Sequence, residues 1–217
     1  MTNLSHDEAK RLFGADLIDP EALAALLGGD VVQAPAIPFP REVAEEAQRA
    51  GCMLLYRPAA LADGRALSLA TLAEIGAGRS DGLVAFAGDD PWFVSDATAN
   101  ADAPEAGWAL VAKEPWPETL NQIYVRGEAA LRRRAGALPW RRRRAPEIVL
   151  DALAYAAARG SRLLTDKWDW SSSSSHDGGL INIGCFTKSG LDVLTYSKAV
   201  KHGALGICPT LVGHARG

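Results

Sequence analysis

The densest group of chemically capable side chains in this 217-residue chain lies in one short stretch. Five consecutive serines, Ser171 to Ser175, are followed directly by His176 and Asp177. Serine, histidine and aspartate form the triad of many hydrolases, but the three groups must converge from separate elements, which adjacent residues cannot do. No Gly-x-Ser-x-Gly elbow and no phosphate-cradling glycine loop occurs either. The sequence therefore predicts no catalytic residue and no cofactor site.

Residues that could bind a metal ion are few and scattered. The cysteines are Cys52, Cys185 and Cys208, and the four histidines have no metal-ligand spacing. We predict no zinc site and no disulfide framework, with a single Cys185–Cys208 bridge as an alternative. Asp63-Gly64 and Gly88-Asp89-Asp90 could suggest calcium, but no loop of regularly spaced oxygen ligands surrounds either. We interpret both as turns.

Seven arginines form two clusters, Arg132–Arg134 and Arg141–Arg144. Such a run could bind nucleic acid or another polyanion. However, Trp140 is the only aromatic residue among these arginines, and the rest of the chain is acidic. We therefore predict a solvated helix end, which the helix dipole favours, followed by a mobile loop. Neutralising the second cluster should then change stability by no more than ~0.5 kcal/mol.

Composition indicates a globular protein. The chain is 48% apolar, has a mean hydropathy of -0.02 and carries a net charge of -3. A chain of this length can bury a sizeable core and is most simply one domain. No apolar run approaches the ~20 residues of a membrane span. The polar, acidic N-terminus argues against a secretory signal peptide, and the net charge predicts no general attraction to nucleic acid.

Capping residues and apolar periodicity place the elements that must position these groups. Helices are indicated by capping serine or aspartate, by proline in a first turn and by a following glycine. The predicted helices begin at Ser5, Asp19, Arg41, Ser68, Pro117 and Pro146. Apolar runs predict strands at Cys52–Arg57, Leu83–Phe86 and Trp108–Lys113, with glycine-broken, strand-length pieces from Arg162 onward.

The last fifty residues alternate between two kinds of position. Apolar and glycine residues such as Gly184, Phe186 and Gly190 are interleaved with small polar residues of mixed chemistry. A catalytic site holds a few unlike groups in one arrangement. This tail is instead typical of a rigid frame whose outward positions are free to vary.

Residues Asn182 to Val193, followed by Leu205 to Ile207, resemble the C-terminal region of variable proteins from diversity-generating retroelements. The stretches Arg162–Ser172 and Trp108–Pro115 look like the approach to that region. The resemblance is specific over roughly residues 108 to 209 and is weak to absent over the first hundred residues.

The resemblance implies an α+β chain with a C-type lectin fold of the formylglycine-generating-enzyme type. In this fold two helices precede a small antiparallel sheet, and the C-terminal strands and loops display the diversified side chains. We expect a helical N-terminal region over residues 1–50 and the lectin-like domain over residues 51–217. The variable region is expected at about residues 168–210.

Members of that family are diversified when a reverse transcriptase miscopies template adenines. Asparagine codons then become almost any residue except Lys, Glu, Gln, Met and Trp. Lys188, Lys198 and Lys201 are therefore interpreted as template-encoded. The fixed frame is matched by Gly184, Phe186, Gly190, Leu191, Val193, Leu205 and Gly206. The predicted ligand-facing, variable positions are Cys185, Thr187, Ser189, Asp192, Leu194, Thr195, Tyr196, Ser197, His202, Ala204 and Cys208, with Asn182, His176, Ser175 and Ser173 as further candidates.

Two details refine these expectations. Cys208-Pro209 departs from the pattern, since many lectin-type folds carry arginine before this proline. Phe186 and Trp170 are expected in the core, whereas Asp192, Leu194, Tyr196 and His202 should project outward. Tyr196 is expected to be the main contact, because its ring offers area at little rotamer cost.

The function implied by the resemblance is ligand binding, as a phage or prophage receptor-binding module or a cellular display protein. The partner would be an unknown protein or glycan, and the location the cytoplasm or a phage particle. One alternative is an enzyme of the same fold that uses a cysteine pair, here Cys185 and Cys208, or a His/Glu metal arrangement. Another is a polyanion- or nucleic-acid-binding protein that acts through the 132–144 arginine run.

Overall fold

The computed structural model describes residues 2–28, 35–58, 60–79, 83–88 and 91–213. Within these ranges the chain forms six α-helices and eight β-strands, which confirms the predicted α+β class. The helices are α1 (His6–Phe13), α2 (Pro20–Leu27), α3 (Arg41–Arg49), α4 (Leu69–Ala77), α5 (Tyr124–Ala135) and α6 (Ala145–Arg159). The strands are β1 (Leu17–Ile18), β2 (Cys52–Arg57), β3 (Gly107–Ala112), β4 (Trp168–Ser174), β5 (Leu180–Thr187), β6 (Gly190–Tyr196), β7 (Leu205–Gly206) and β8 (Thr210–Gly213).

The first sheet joins the N-terminal region to the C-terminal strand, in the order β1-β2-β3-β8. β1 runs parallel to β2, and the other neighbours are antiparallel. β2 and β3 are buried at all but one residue each, as continuous apolar runs predict for strands covered on both faces. Residues on both sides of the boundary expected at residue 50 therefore share one sheet.

The second sheet has the order β6-β5-β4-β7 and carries most of the tail. β4, β5 and β6 form two antiparallel hairpins, and β7 runs parallel to β4. The register aligns Trp170, Asn182 and Leu194 across β4, β5 and β6. The resemblance implied one small antiparallel sheet, whereas the described chain has two four-stranded sheets that each include a parallel pair.

α6 is the buried helix between the two sheets. Pro146 lies in its first turn and Gly160 caps its C-terminus in the left-handed conformation (φ +66), as predicted. The helix contacts α2, α4, β1 of the first sheet, and β4 and β5 of the second. All its residues from 145 to 154 are buried, including the acids Glu147 and Asp151. A buried helix with two charges needs partners for them.

Local capping signals placed most helices correctly. The Glu8 N–H donates to the Ser5 hydroxyl, and the Ser5 N–H donates to the Glu8 carboxylate, forming the predicted capping box. Asp19 and Ser68 accept hydrogen bonds from the first turns of α2 and α4. α3 begins at Arg41, also as predicted. These ends are determined by residues close in sequence, which is why the sequence predicted them.

Two predicted elements differ in the structure. Pro117 starts only a short 3₁₀ turn, and α5 is a separate helix because the chain adopts a left-handed conformation at Asn121 (φ +55). Leu83–Phe86 is not a strand, since Phe86 makes only one parallel bridge, to Leu191 of β6. This short segment nevertheless covers part of the outer edge of β6, where the Leu191 N–H and C=O bond to the neighbouring backbone.

Candidate binding face and its buried frame

β6 presents part of the predicted variable set at the edge of the second sheet. Side chains alternate along a strand, and here Leu191 and Val193 point into the core. Between and beyond them, Leu194 is 39% exposed, and Asp192 and Tyr196 are half-buried. The outward orientation predicted for these three side chains agrees with the structure.

Two connections extend this row of side chains. The β5–β6 turn exposes Thr187, Lys188 and Ser189, with the Ser189 N–H donating to Thr187 Oγ1 at 3.1 Å. The segment 197–204 links the end of β6 to β7, across β5 and β4. We use the name displayed face for three parts taken together. They are the turn 187–189, the side of β6 that carries Asp192, Leu194 and Tyr196, and the segment 197–204.

An aromatic trio supports the displayed face from below. Trp170 is 1% exposed, which confirms its predicted place in the core. Its ring meets Tyr124 at 5.9 Å and Tyr196 at 6.4 Å between centroids, both in edge-to-face arrangement. Such a pair contributes ~0.5–1.5 kcal/mol beyond area burial. Trp170 thus connects α5, β4 and β6 beneath the predicted contact residue Tyr196.

The predicted frame glycines lie where no side chain fits. A Cβ on Gly184 would lie 2.1 Å from the Lys167 carbonyl oxygen. Gly190 has φ +108, and a Cβ there would lie 2.2 Å from the Phe86 carbonyl carbon. Together with the fully buried Phe186, these positions are closed to larger or differently shaped residues.

Four predicted contact residues are buried and do not belong to the displayed face. Asn182 and Cys208 are 0% exposed, and Ser173 and Ser175 are 3% exposed. Asn182 lies on the same side of the sheet as Leu194, but on the inner strand β5, where Trp170 is its cross-strand neighbour. Alternation along a strand gives the side of the sheet but not whether another segment covers it.

The buried serines and Cys208 are engaged within the fold. Ser173 Oγ accepts the Ala145 N–H at 2.9 Å, at the start of α6, and also contacts Asp102. Ser175 Oγ contacts Asp177 in the β4–β5 turn. The Cys208 N–H donates to the buried Asp169 at 2.8 Å. The serine run therefore caps and connects elements.

Two further predicted contact residues, Thr195 and Cys185, lie on or near β6 but not on the side of the strand that carries Leu194. Thr195 is on the opposite side of β6 from Leu194, where a Cβ on Gly179 would be 3.0 Å from the Thr195 Cβ. Cys185 sits in an irregularity of β5 with φ +45, and burial, together with the smaller effect of the Asp192 carboxylate, raises its pKa.

His176 is exposed in the β4–β5 turn and paired with a distant acid. Its backbone N–H and its Nδ1 lie 3.0 and 2.9 Å from the same Asp96 oxygen. The hydrogen bonds from His176 are the largest causes that lower the Asp96 pKa to about 2. The hydrogen bond with Asp96 in turn raises the His176 pKa above 6.5. The pair joins the turn to the 91–102 segment, a link that sequence reasoning missed.

All three cysteines are free thiols, so the alternative Cys185–Cys208 bridge is absent. Burial raises the pKa of Cys208 well above its ordinary value and that of Cys52 to about 12. Reactive cysteines require a stabilised thiolate, which burial disfavours. Asp63-Gly64 is a turn in which Asp63 binds Arg65, and Asp89 and Asp90 lie outside the described residues. Among the described residues, no group of three or more His, Cys, Asp or Glu side chains could hold a metal ion.

The first arginine cluster matches its prediction. Arg132, Arg133 and Arg134 are exposed in the last turn of α5. Arg132 bonds Glu128 one turn earlier, and Arg134 bonds Glu118. These are surface ion pairs of small energetic value.

The prediction of a solvated, mobile segment was wrong for the second cluster, because Arg142 and Arg143 are buried and Arg141 and Arg144 are half-buried. Arg143 is 1% exposed and donates to Asp151 at 2.9 Å and to Asp169 at 2.9 and 3.1 Å. Arg141 donates to Glu147 at 2.7 and 2.8 Å, and its backbone pairs with Thr210 of β8. Arg141 and Arg143 are thus paired with buried acids of α6, and Arg142 pairs with Glu128 of α5.

Arg57 of β2 completes this ionic network. Its guanidinium donates to both Asp151 oxygens at 2.7 and 2.9 Å and to Glu147 at 3.3 Å. Burial alone would raise the Glu147 pKa, but the charges of Arg57 and Arg141 lower it to about 2. Burial raises the Asp169 pKa to about 6, against the attraction of its arginine partner. The network links β2, α6 and β4, and therefore both sheets.

Protein-family models, curated proteins and solved structures were compared with this chain, and none matches it. In the part of the chain that the structure describes, no helix has the length and apolar character needed to cross a membrane. What the protein does is therefore inferred from its own residues.

Proposed function

We propose that the chain is a ligand-binding protein, the variable protein of a diversity-generating retroelement, which presents changeable side chains on a C-type lectin-like scaffold. The observation that carries this proposal is the division of the tail into two sets. The predicted frame positions are buried, whereas eleven of the fifteen predicted contact residues are exposed or half-buried. Four of the fifteen, named above as buried, are excluded from the proposed contact set.

This division matters because a diversified protein must fold with every version of its binding surface. Substitutions at exposed positions away from special features usually change stability by less than ~0.5 kcal/mol. Replacing a large aromatic core residue such as Phe186 costs ~3–5 kcal/mol. We therefore expect variation confined to the displayed face to be tolerated and variation at the frame positions to destabilise the protein.

The order of elements supports the lectin-like part of the proposal. α5 and α6 precede the strands β4, β5 and β6, as two helices precede the sheet in the family that the tail resembles. Nine of the fifteen predicted variable positions lie on β6 or on the connections at its two ends. The closed positions Gly184 and Gly190 flank the β5–β6 turn and hold it against neighbouring backbone.

A protein or glycan surface is the proposed ligand class. The displayed face is an edge strand with two flanking connections, which suits contact with another surface more than enclosure of a small molecule. Tyr196 is the proposed central contact, because its ring is already held by Trp170 and loses little freedom on binding.

A pair of libraries tests the proposal. In the first, the exposed residues Thr187, Ser189, Leu194, Ser197 and His202 are randomised in the full chain, which is displayed and selected against a panel of unrelated proteins. We expect most members to fold and specific binders to emerge. The matched control library randomises five exposed residues of α1 and α3: Asp7, Lys10, Glu42, Glu46 and Arg49.

The control library should also fold but should yield far fewer binders. Equal yields from the two libraries, or loss of folding in most members of the first, would reject the displayed face as a diversified binding site. A second test is the DNA downstream of the gene. A near-copy of the 3′ end that differs only at adenines, followed by a reverse-transcriptase frame, is expected there.

A further inference from the structure

The outer edge of β6 is covered over only part of its length. β6 is the end strand of its sheet, so a row of its backbone N–H and C=O groups faces away from β5. At Leu191 both groups are bonded, because its N–H donates to the Ala85 carbonyl and its C=O accepts the Ala87 N–H, each at 2.9 Å. The Val193 carbonyl accepts the Trp92 indole N–H at 2.8 Å. This cover reaches as far along the edge as Val193.

Thr195 is the next residue whose backbone faces outward. Backbone groups alternate in direction along a strand, and since Leu191 and Val193 face the edge, Thr195 does too. Its neighbours Leu194 and Tyr196 face β5 instead, where they pair with the inner strand. Within the described part of the chain, neither the N–H nor the C=O of Thr195 has a hydrogen-bond partner. The residue is half-buried rather than enclosed, so the edge of the sheet is open at this point.

The unpaired groups of Thr195 have the chemistry of one half of a strand pair. In an antiparallel pair, two opposed residues exchange both of their N–H···O=C bonds. One residue of an incoming extended segment can therefore satisfy both groups of Thr195. Strand addition of this kind is a recurring mode of peptide recognition, in which main-chain bonds give affinity and alternate side chains give specificity. The edge thus favours an extended segment of a protein as the ligand.

Exposed apolar side chains lie beside the open part of the edge. The Trp92 indole, which is bonded to the Val193 carbonyl, is 37% exposed. Leu194, the residue before Thr195, is 39% exposed on the displayed face. Side chains opposed across two antiparallel strands contact each other, and apolar pairs stabilise the pairing. An added segment with apolar side chains would remove part of this surface from water.

We propose that β6 binds its ligand by strand addition at Thr195, so that an extended segment of a partner protein continues the second sheet. This inference rests on the proposed function and names its ligand class, a protein rather than a glycan. Every residue type except proline carries both backbone groups, so the anchor does not depend on the side chains that vary. Asp192, Leu194 and Tyr196 lie on one side of β6 and would contact alternate side chains of the segment, which gives specificity.

A random library of linear peptides, selected against the immobilised full-length protein, supplies the probe. We expect enriched peptides, one of which is then N-methylated at each amide in turn. Methylation of the amide that pairs with Thr195 should weaken binding about tenfold or more, because it removes a donor and keeps the two strands apart. Methylation of the two neighbouring amides, which face away from β6, should have little effect.

The variant Thr195→Pro tests the same contact from the side of the protein. Proline is tolerated on an edge strand where the N–H faces outward, and the bonds of Leu194 and Tyr196 to β5 remain. The variant should bind the selected peptide about tenfold or more weakly. The control Thr195→Val keeps the N–H and a similar shape, so it should bind like the wild-type protein. Thermal unfolding verifies both folds, and the methylation series does not depend on either variant.

Amide hydrogen exchange, measured by NMR on the wild-type protein, gives a residue-level readout. Without peptide, the Thr195 amide should exchange faster than those of Leu194 and Tyr196, which bond to β5. Bound peptide should slow exchange at Thr195 and leave the other two nearly unchanged. This pattern separates strand addition from a contact made by side chains alone.

Several outcomes would overturn the proposal. They are no enriched peptide, no difference between the methylated positions, wild-type binding by Thr195→Pro, or unchanged exchange at Thr195. Protection of the Thr195 amide that rises with protein concentration, without peptide, would assign the edge to a second copy of the chain and reject the partner segment.

The libraries of the previous section separate this proposal from the proposed function. If they yield binders that Thr195→Pro leaves unchanged, the proposed function stands and strand addition fails. If peptides pair with Thr195 but the two libraries give equal yields, strand addition at β6 stands and the diversified binding role fails.

Discussion

Arg143 and Asp169 form a buried ion pair that ties the arginine-rich segment to strand β4. Arg143 Nε and Nη2 donate to the same Asp169 oxygen at 3.1 and 2.9 Å, and neither side chain is more than 2% exposed. Arg143 also donates to Asp151 of α6, and Arg57 of β2 donates to the same Asp151 oxygen. The pair is one link in a chain of charges that spans both sheets.

Replacing Arg143 with methionine is expected to lower the free energy of unfolding by ~3–5 kcal/mol, because two buried carboxylates lose a partner. The control Arg133→Met removes an exposed arginine and should change it by no more than ~0.5 kcal/mol. Chemical denaturation followed by tryptophan fluorescence measures both. Equal, small effects would mean that Asp151 and Asp169 accommodate the loss by protonation or by contact with water.

Gly184→Ala is expected to destabilise the protein by ~1–3 kcal/mol, because the added methyl group would meet the Lys167 backbone. Gly203→Ala provides the control, since a Cβ at this position has no neighbour within 4 Å. That change should be neutral or slightly stabilising through the unfolded chain. Urea-induced unfolding of the two variants measures the difference, as the shift in the urea concentration at the midpoint of unfolding. If Gly184→Ala leaves the free energy of unfolding unchanged, Gly184 does not belong to the buried frame.

Phe186→Ala should cost ~3–5 kcal/mol, whereas Leu194→Ala should stay within ~0.5 kcal/mol. Tyr196→Ala should fall between them, at ~0.5–1.5 kcal/mol, since it removes one edge-to-face contact with Trp170. The sequence predicted only that Tyr196 projects outward, and its ring contact with Trp170 is the reason to expect a larger loss of stability than at Leu194. Thermal unfolding of the three variants orders them. A loss at Leu194 as large as that at Phe186 would assign Leu194 to the core.

The His176–Asp96 pair should make stability depend on pH. Asp96 raises the His176 pKa above 6.5, so the contribution is complete below that value and is lost as pH rises through the folded-state pKa. NMR titration of the ring should show the raised pKa, and Asp96→Asn should return it toward 6.5. In the wild-type protein the free energy of unfolding should decrease as the pH rises above 6.5. In the variant His176→Gln this decrease should be absent. An unshifted titration in the wild-type protein would contradict the pairing.

Sequence reasoning succeeded where a few adjacent residues determine the structure. The capping box at Ser5 and Glu8, the ends of α6 at Pro146 and Gly160, and the buried strand β2 were predicted from local signals. For these elements the physical cause lies within a few residues along the chain. The core positions of Trp170 and Phe186 were expected instead together with the fixed frame that the resemblance implies, and both side chains are buried.

Sequence reasoning failed where partners are distant. Arg143 meets Asp169 from 26 residues away, and Arg57 meets Asp151 from 94 residues away. One signal could have been used: Glu147 and Asp151 stand one turn apart in a helix that is otherwise apolar, so they required buried cations. Asn182 was misplaced for a related reason, because the sequence does not tell an inner strand from an edge strand.

The contact between Trp170 and Tyr196 has a consequence for the shape of the surface. A smaller residue at position 196 would uncover the edge of the indole and leave a recess with an aromatic floor, walled by Tyr124 on the far side. A large residue would keep the surface convex. Under the proposed function, a change at position 196 alone would decide whether this part of the surface protrudes or is recessed, and versions of the protein that differ at this position would bind ligand surfaces of different shape.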